Sequence, residues 1–279
     1  EPRDWNSSMS RYLLRTTDGS FLRDGESIYV LGDVLADGLF DAIAAKGVPG
    51  AVTGDTIAPV SPSQIVIVGL NYESHGDEVG MPKPEAPMMA AISGEFYTHQ
   101  GAVVTRPAEY PDFLDYEGEI GIVIGKDCAN VSVDDALDYV LGLTACIDLG
   151  QRDQQFRAFM AMRSGKLGPG MTDAKAFPGS KPLGPEIILL DGSDPSTLDL
   201  ALTTHVNGEL RQTGHISEMV FDVARLVADA SHLVSLKAGD VISSGTPAGI
   251  GLTKGIFLEP GDEVAVKLGP LAPLTITVA

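Results

Sequence analysis

The chain has 279 residues, of which 44% are hydrophobic, and it carries a formal net charge of −19. This size and apolar content predict one large domain, or one large and one small domain. The excess of acidic residues argues against nucleic acid and anionic membranes as partners, and no apolar run is long enough to predict a transmembrane helix. Only two cysteines are present, both in apolar surroundings, which predicts buried free thiols and a cytoplasmic protein.

The N-terminal part of the chain predicts a small module. Met9 has the character of a natural start, so residues 1–8, which include the only tryptophan, are expected to be a remnant of cloning. Residues 11–30 predict a β-hairpin, because two strand-like runs flank a Thr-Asp-Gly-Ser turn. Residues 35–45 predict a short helix that ends close to a glycine.

The rest of the chain is predicted to be rich in strands. A proline-containing linker at 58–63 separates a small domain, 9–60, from a large domain, 64–279. Apolar runs and the hairpin turn Asn207-Gly208 predict strands at 65–70, 117–125, 140–148, 187–190, 198–206, 240–244, 256–258, 263–268 and 274–278. Helices are predicted at 132–137, 150–163 and 218–233. The stretch 71–112 lacks periodicity and is expected to be an irregular lid.

Three carboxylates lie where apolar strands become polar. Glu117 and Glu119 are two residues apart at the start of a strand, so both side chains point to the same face. Asp148 occupies a similar position at the end of the next strand. Carboxylates that lie so close together repel one another unless a cation lies between them. A hard divalent ion such as Mg²⁺ takes such oxygen ligands. For Glu117 and Glu119 alone, the alternative is a solvated strand end that carries two acids.

A histidine and a glutamate in the predicted lid form a candidate base. His75 and Glu78 are three residues apart, which is about one helical turn, so the glutamate can orient the imidazole and raise its basicity. The pair could then act as a general base when the lid covers the site. The alternative is an exposed histidine in a polar loop.

Further polar residues are candidates for contact with a substrate. Arg152 and Gln155 follow the third carboxylate on a predicted helix and could bind a substrate carboxylate, although a solvated helix surface is the alternative. Lys175 could balance charge or hold an enolate, whereas most lysines of this kind are solvated. The glycine-rich turn with Gly245 and Thr246 could bind an anion through its backbone N–H groups and its hydroxyl, or could be purely structural.

Together, these segments resemble the fumarylacetoacetate hydrolase superfamily over roughly residues 64–279. The resemblance rests on blocks that occur in one order: Val68-Gly69-Leu70-Asn71-Tyr72 with His75, Asp115-Tyr116-Glu117-Gly118-Glu119, Asp148 with Arg152-Asp153, Ala174-Lys175-Ala176-Phe177, Val206-Asn207-Gly208-Glu209-Leu210-Arg211-Gln212, Gly239-Asp240-Val241-Ile242 and Ser244-Gly245-Thr246-Pro247-Ala248-Gly249.

The resemblance implies a fold, an assembly and a set of site residues. The fold is α+β and β-rich, a mixed β-sandwich roll with a small N-terminal domain, and the protein is usually a homodimer that acts on a small molecule. The ion is Mg²⁺, with Mn²⁺ or Ca²⁺ as alternatives. The implied residues are the metal ligands Glu117, Glu119 and Asp148, the catalytic residues His75, Glu78 and Lys175, and the substrate-binding residues Arg152, Gln155, Gly245 and Thr246.

Three positions depart from the pattern of the superfamily. Similar proteins carry a Phe-x-Lys-Pro segment where this chain has 87–93, which includes Ile92 and has no lysine. The pair Gly150-Gln151 replaces a small hydroxyl residue and an alanine, and Met171 lies where an aromatic residue is common. The metal site is therefore expected to be intact, and the substrate pocket is expected to be unusual.

The resemblance and the lid pair favour an enzyme. The leading hypothesis is Mg²⁺-dependent hydrolysis of a C–C bond in an acylpyruvate or a related 1,3-dicarbonyl acid, through a metal-stabilised enolate. The alternative is a decarboxylase, or an isomerase or tautomerase, that acts on a 2-oxo dicarboxylate at the same metal site. A catalytically idle metal-binding homologue is a third hypothesis, but a structural ion would not need the base of the lid.

Overall fold

A computed structural model describes residues 11–32, 38–109, 112–165, 170, 172–190 and 192–279. The predictions for residues 1–8, for Met171 and for the first part of the helix at 35–45 lie outside these residues. Within the described ranges, no helix combines the length and apolar character needed to cross a membrane. Both cysteines are free and buried, as predicted.

The N-terminal module is a meander of strands followed by a helix: β1 (Arg11–Thr16), β2 (Gly19–Asp24), β3 (Ser27–Gly32), α1 (Leu39–Ala45) and β4 (Val48–Pro49). The predicted hairpin is therefore extended by one strand. The remaining strands are β5 (Gln64–Gly69), β6 (Met88–Ser93), β7 (Tyr97–Thr98), β8 (Val103–Val104), β9 (Leu114–Asp115), β10 (Gly118–Ile124), β11 (Val140–Ile147), β12 (Gly150–Gln151), β13 (Lys181–Leu189), β14 (Ala201–Val206), β15 (Glu209–His215), β16 (Val241–Ser243), β17 (Glu263–Leu268) and β18 (Leu274–Val278). The remaining α-helices are α2 (Glu73–Val79), α3 (Arg152–Arg163), α4 (Val223–Leu233) and α5 (Gly251–Lys254).

Two large sheets enclose the main core. The larger sheet has eleven strands in the order β4-β3-β2-β1-β13-β11-β10-β16-β5-β6, with β7 beside β13, and the smaller has the order β15-β14-β17-β18-β8. Side chains alternate across the larger sheet: Ile122 packs into the core between the sheets with Val266, whereas Val123 packs on the opposite face with Ile43 of α1. The predicted α+β, β-rich fold is confirmed.

The N-terminal strands continue the larger sheet of the main body. β1 pairs antiparallel with β13, so that Leu13 lies opposite Ile187. The predicted linker at 58–63 has no regular structure but is packed, because Ala58 and Val60 are buried in the same cluster as Leu13. The boundary between two domains near residue 60 stays a prediction.

Three local predictions are wrong. The stretch 71–112 is not irregular, because it contains α2 and three strands, and β6 pairs with β5 along its whole length. The run 256–258 is not a strand: the Ile256 N–H bonds back to Gly251 and closes α5. The helix expected at 132–137 is a 3₁₀ turn over Ala136–Tyr139.

Candidate metal centre

Strand pairing brings the three predicted carboxylates together. Glu117 lies directly before β10, Glu119 lies within it, and Asp148 directly follows the antiparallel neighbour β11. The Asp148 N–H donates to the Glu117 carbonyl at 2.8 Å, so the backbone hydrogen bonds between β10 and β11 continue as far as these two ligands. All three residues are buried, and one oxygen from each lies within 4.8 Å of the others. The chain geometry therefore forces three acids into one small volume.

The glycine between the two glutamates allows the smaller sheet to approach this strand. A Cβ at Gly118 would lie 2.0 Å from the Thr204 hydroxyl, so no larger residue fits without movement. The Gly118 N–H donates to Gln212 Oε1 at 2.9 Å, and its carbonyl accepts from the Thr246 hydroxyl at 2.9 Å. That hydroxyl also accepts from Gln212 Nε2 at 2.7 Å. Thr246 therefore supports the metal strand, and its predicted contact with substrate stays a prediction.

Glu119 is held by the end of β16 and by the glycine-rich turn that follows. Its Oε2 accepts from the Ser243 hydroxyl at 2.5 Å and from the Gly245 N–H at 2.9 Å. Gly245 has φ +93°, and a Cβ there would lie 2.8 Å from Asn71 Cβ, so the turn requires glycine. Burial, followed by the charges of Asp148 and Glu117, raises the pKa of Glu119 to about 8. A divalent ion would relieve this repulsion.

Lys175 lies among the carboxylates, and its predicted catalytic role stays a prediction. Its Nζ is 2.5 Å from Glu117 Oε2 and 3.1 Å from Asp148 Oδ2. Burial lowers the pKa of Lys175, but attraction to Asp148 and Glu117 outweighs burial and leaves the pKa above its ordinary value. Burial raises the pKa of Glu117, but Lys175 and Arg152, and more weakly His75, hold it below its ordinary value.

A second buried lysine was not singled out from the sequence. Lys181 Nζ lies 2.8 Å from Asp148 Oδ1 and donates to the carbonyl of Lys175. It also lies 3.2 Å from the Ser180 hydroxyl. Burial lowers the pKa of Lys181 below its ordinary value. A lysine at the start of a buried apolar strand indicates that it has an ionic partner, but only the pairing of β13 with β11 identifies that partner as Asp148.

Arg152 links the first metal ligand to the strand before it. Its Nε lies 2.7 Å from Asp115 Oδ2, its Nη2 lies 2.5 Å from Glu117 Oε1, and its Nη1 donates to Gln155 Oε1 at 2.8 Å. The buried guanidinium is therefore engaged on three sides. Asp115, two residues before Glu117, anchors the guanidinium and has no role among the sequence-based predictions. The predicted binding of a substrate carboxylate by Arg152 and Gln155 stays a prediction.

The predicted histidine and glutamate pair lies on α2. His75 Nδ1 lies 3.3 Å from Glu78 Oε2, and both side chains are largely buried, with 12% and 14% exposed. Glu78 Oε1 accepts from the Gly249 N–H at 3.0 Å. The helix is therefore closed onto the glycine-rich loop, and the spacing of the pair on one helical turn is as predicted. Their roles in catalysis stay predictions.

The structure explains why glycine occupies position 150, where the superfamily pattern has a different small residue. A Cβ at Gly150 would lie 2.9 Å from Lys175 Cε and 3.0 Å from its Nζ, so glycine leaves room for the lysine to lie over the carboxylates. Gln151 is fully buried, and neither polar atom of its side chain has a hydrogen-bond partner. Ile92 is buried in β6.

The residues of this centre fit a hard divalent ion. The donor set consists of carboxylate oxygens, with neither histidine nor cysteine in the triad, and this is the ligand type that Mg²⁺ and Mn²⁺ take. The ammonium group of Lys175 already bridges Glu117 and Asp148, so the local field favours a cation. Glu117, Glu119 and Asp148 would hold the ion.

Comparison with known proteins places the chain in a family. The profile of the Fumarylacetoacetate (FAA) hydrolase C-terminal domain matches residues 64–279. The chain is 35% identical over 221 residues to the oxaloacetate tautomerase YisK of Bacillus subtilis strain 168, which covers 78% of this chain and 70% of the relative.

Solved structures agree with this result. The fold is similar to that of 5-carboxymethyl-2-hydroxymuconate delta-isomerase from Mycobacterium smegmatis, with a TM-score of 0.71, 29% identity and coverage of 97% and 98% of the two chains. It is also similar to fumarylpyruvate hydrolase from Pseudomonas aeruginosa in complex with Mn²⁺ and pyruvate, with a TM-score of 0.69, 25% identity and coverage of 81% and 92%. The chain belongs to the fumarylacetoacetate hydrolase family.

Proposed function

We propose that this protein is a divalent-metal-dependent hydrolase that cleaves a C–C bond in an acylpyruvate or a related 1,3-dicarbonyl acid. The observation that carries the proposal is the buried carboxylate triad. A largely buried His75–Glu78 pair on α2 supports it, because Glu78 is bonded to Gly249 in the loop that follows the Glu119-binding turn. The family supports a metal-dependent enzyme, and the fumarylpyruvate hydrolase relative supports hydrolysis.

The reaction assigns a role to each group of residues. A bound divalent ion would hold the 2-oxo acid and stabilise the negative charge of the departing enolate. His75, oriented by Glu78, accepts a proton from water, and the water oxygen attacks the acyl carbonyl. The C–C bond breaks, its electron pair stays on the pyruvate fragment, and that carbon then takes the proton from His75. Lys175 places a positive charge beside the developing negative charge.

Substrate binding is assigned to the rim of the triad. We propose that Arg152 and Gln155 contact the substrate carboxylate, which would require Arg152 to share a donor now bonded to Glu117. Gly245 and Thr246 follow β16, which pairs with β10 on the edge opposite β11, and we assign them to the far end of the substrate. The room that Gly150 leaves for Lys175 supports a role for that lysine over the substrate.

Tautomerisation of oxaloacetate is a second candidate. It is favoured by the 35% identity to a relative that is named for this reaction. A tautomerase moves a proton between carbon and oxygen and needs no attacking water, so the same ion and the same His75 would serve. Decarboxylation of a 2-oxo dicarboxylate also leaves an enolate at this site. The three reactions therefore differ in their products rather than in the residues they use.

We propose Mg²⁺ as the native ion, with Mn²⁺ or Ca²⁺ as substitutes, because the donor set consists entirely of carboxylates. We also propose a cytoplasmic homodimer. Support for the dimer comes from the outer face of α3, where large apolar side chains are exposed to 63% at Phe156, 43% at Phe159 and 46% at Met160.

Product analysis in ¹⁸O-labelled water tests the proposal. The protein loaded with Mn²⁺ is incubated with acetylpyruvate and with oxaloacetate, and the products are followed by mass spectrometry and by the enol absorbance. We expect acetate with one labelled oxygen, together with pyruvate, from acetylpyruvate. Interconversion of oxaloacetate tautomers with acetylpyruvate untouched would replace hydrolysis with the second candidate. Release of CO₂ would assign a decarboxylase, and inertness toward both acids would contradict the proposal for simple substrates.

A further inference from the structure

Glu78 on α2 is bonded by a residue outside all the motifs above, Thr253. Glu78 uses one oxygen, Oε2, for His75. Its other oxygen, Oε1, accepts a hydrogen bond of 2.6 Å from the Thr253 hydroxyl, in addition to the bond from the Gly249 N–H. Because an ionised carboxylate only accepts hydrogen bonds, Thr253 must be the donor in this contact. Both carboxylate oxygens of Glu78 are therefore held by hydrogen-bond partners.

The helix that carries Thr253 is itself tied to the metal strand. α5 has only four residues, but its first N–H groups donate to one carboxylate: Gly251 N–H to Asp115 Oδ1 at 2.7 Å and Leu252 N–H to Asp115 Oδ2 at 2.9 Å. The same Oδ2 binds Arg152, which binds Glu117. A continuous chain of hydrogen bonds thus runs from the metal ligand through α5 to the lid.

We propose that Thr253 is a positioning residue: its hydroxyl fixes Glu78, and through Glu78 it holds α2 closed and orients the imidazole of His75. The part that concerns His75 rests on the proposed function, whereas the part that concerns closure of α2 does not. A short charge-assisted hydrogen bond is stronger and more directional than a neutral one. Its loss leaves Glu78 Oε1 with the Gly249 N–H as its donor and allows the glutamate to rotate away from His75 more readily. Thr253 itself is exposed and touches no reacting atom.

The test compares Thr253→Val with Thr253→Ser. Valine has nearly the shape of threonine without the hydroxyl, whereas serine keeps the hydroxyl, and the exposed position makes both variants compatible with folding. Thr105→Val, at an exposed position in the loop after β8, is the control for a change of the same type elsewhere. Each variant is loaded with Mn²⁺ and assayed with whichever of acetylpyruvate and oxaloacetate the wild type turns over faster. Hydrogen exchange of residues 73–79 is measured on the same samples.

We expect Thr253→Val to lower kcat by about 10-fold with little change in KM, and to accelerate exchange in α2 by about 10-fold. Thr253→Ser should restore both values, and Thr105→Val should match the wild type. Unchanged exchange in α2 would overturn the proposal that Thr253 holds α2 closed. Faster exchange with unchanged kcat would overturn the positioning of His75. If the wild type turns over neither acid, the proposed function fails, and the exchange of α2 still decides whether Thr253 holds the lid.

Discussion

Replacing Glu119 with glutamine is expected to stabilise the ion-free protein and to abolish its response to divalent ions. Burial and the nearby Asp148 and Glu117 raise the pKa of this carboxyl to about 8. Glutamine has the same shape, and its oxygen can still accept the hydrogen bonds from Ser243 and Gly245. It carries no charge, so it removes the repulsion together with one ligand.

The size of the expected stabilisation follows from the difference between the pKa of Glu119 in the folded state and its pKa in the unfolded state. The interval between the ordinary pKa of 4.5 and about 8 corresponds to about 5 kcal/mol, since each pH unit is worth about 1.36 kcal/mol. Because the folded-state pKa is the higher one, this carboxyl contributes stability at low pH that is lost as the pH rises from about 4.5 to about 8. The free energy of unfolding of the ion-free Glu119→Gln variant should therefore exceed that of the wild type by up to about 5 kcal/mol at about pH 9, and by only about 1 kcal/mol at about pH 5.

Urea unfolding in the presence of a chelator, at both pH values, measures this gain directly. Melting with and without Mn²⁺ reports loss of the ion site, and Glu85→Gln is the control, because it removes the same charge from an exposed position. Two results would refute the reasoning. One is a variant that is no more stable than the wild type at high pH, and the other is a variant whose melting temperature still rises with Mn²⁺.

The remaining predictions concern the lysine, the lid and the sheet contact. Lys181→Met should lower stability by about 3 kcal/mol in urea unfolding, because it breaks a buried pair with Asp148; unchanged stability would make the lysine dispensable. His75→Ala should reduce kcat by about 100-fold while Mn²⁺ affinity, measured by calorimetry, is kept; unchanged turnover would exclude His75 as the base. Gly118→Ala should lower stability by about 1–3 kcal/mol, since its Cβ would meet Thr204, and Thr204→Ala in the same chain should restore part of the loss. A Gly118→Ala variant as stable as the wild type would contradict the packing account.

The carboxylate triad could be predicted from the sequence because its geometry is local. Glu117 and Glu119 share a face through strand alternation, and a single pairing of adjacent antiparallel strands brings in Asp148. The hairpin at Asn207-Gly208 was predicted for a similar reason: both residues adopt left-handed backbone, with φ +52° and +77°, which this pair tolerates.

The supporting groups could not be predicted because they depend on contacts between distant parts of the chain. Lys181 belongs to the site only because β13 runs beside β11, which places its ammonium against Asp148. α5 is too short to give a periodic signal and is stabilised by the carboxylate of Asp115. The apolar run at 256–258 resembled a strand, but its backbone bonds go to α5 and to β9.

Electron paramagnetic resonance of bound Mn²⁺ tests the central claim most directly, namely that the triad holds an ion which contacts a 2-oxo acid. The metal-stripped protein is titrated with Mn²⁺, and ¹⁷O-labelled oxalate is then added as a stable analogue of the enolate. We predict that about one ion binds per chain, that labelled oxalate broadens its signal, and that Glu119→Gln loses both effects. Full activity after exhaustive chelation, or bound Mn²⁺ whose signal is unaffected by labelled oxalate, would contradict the account.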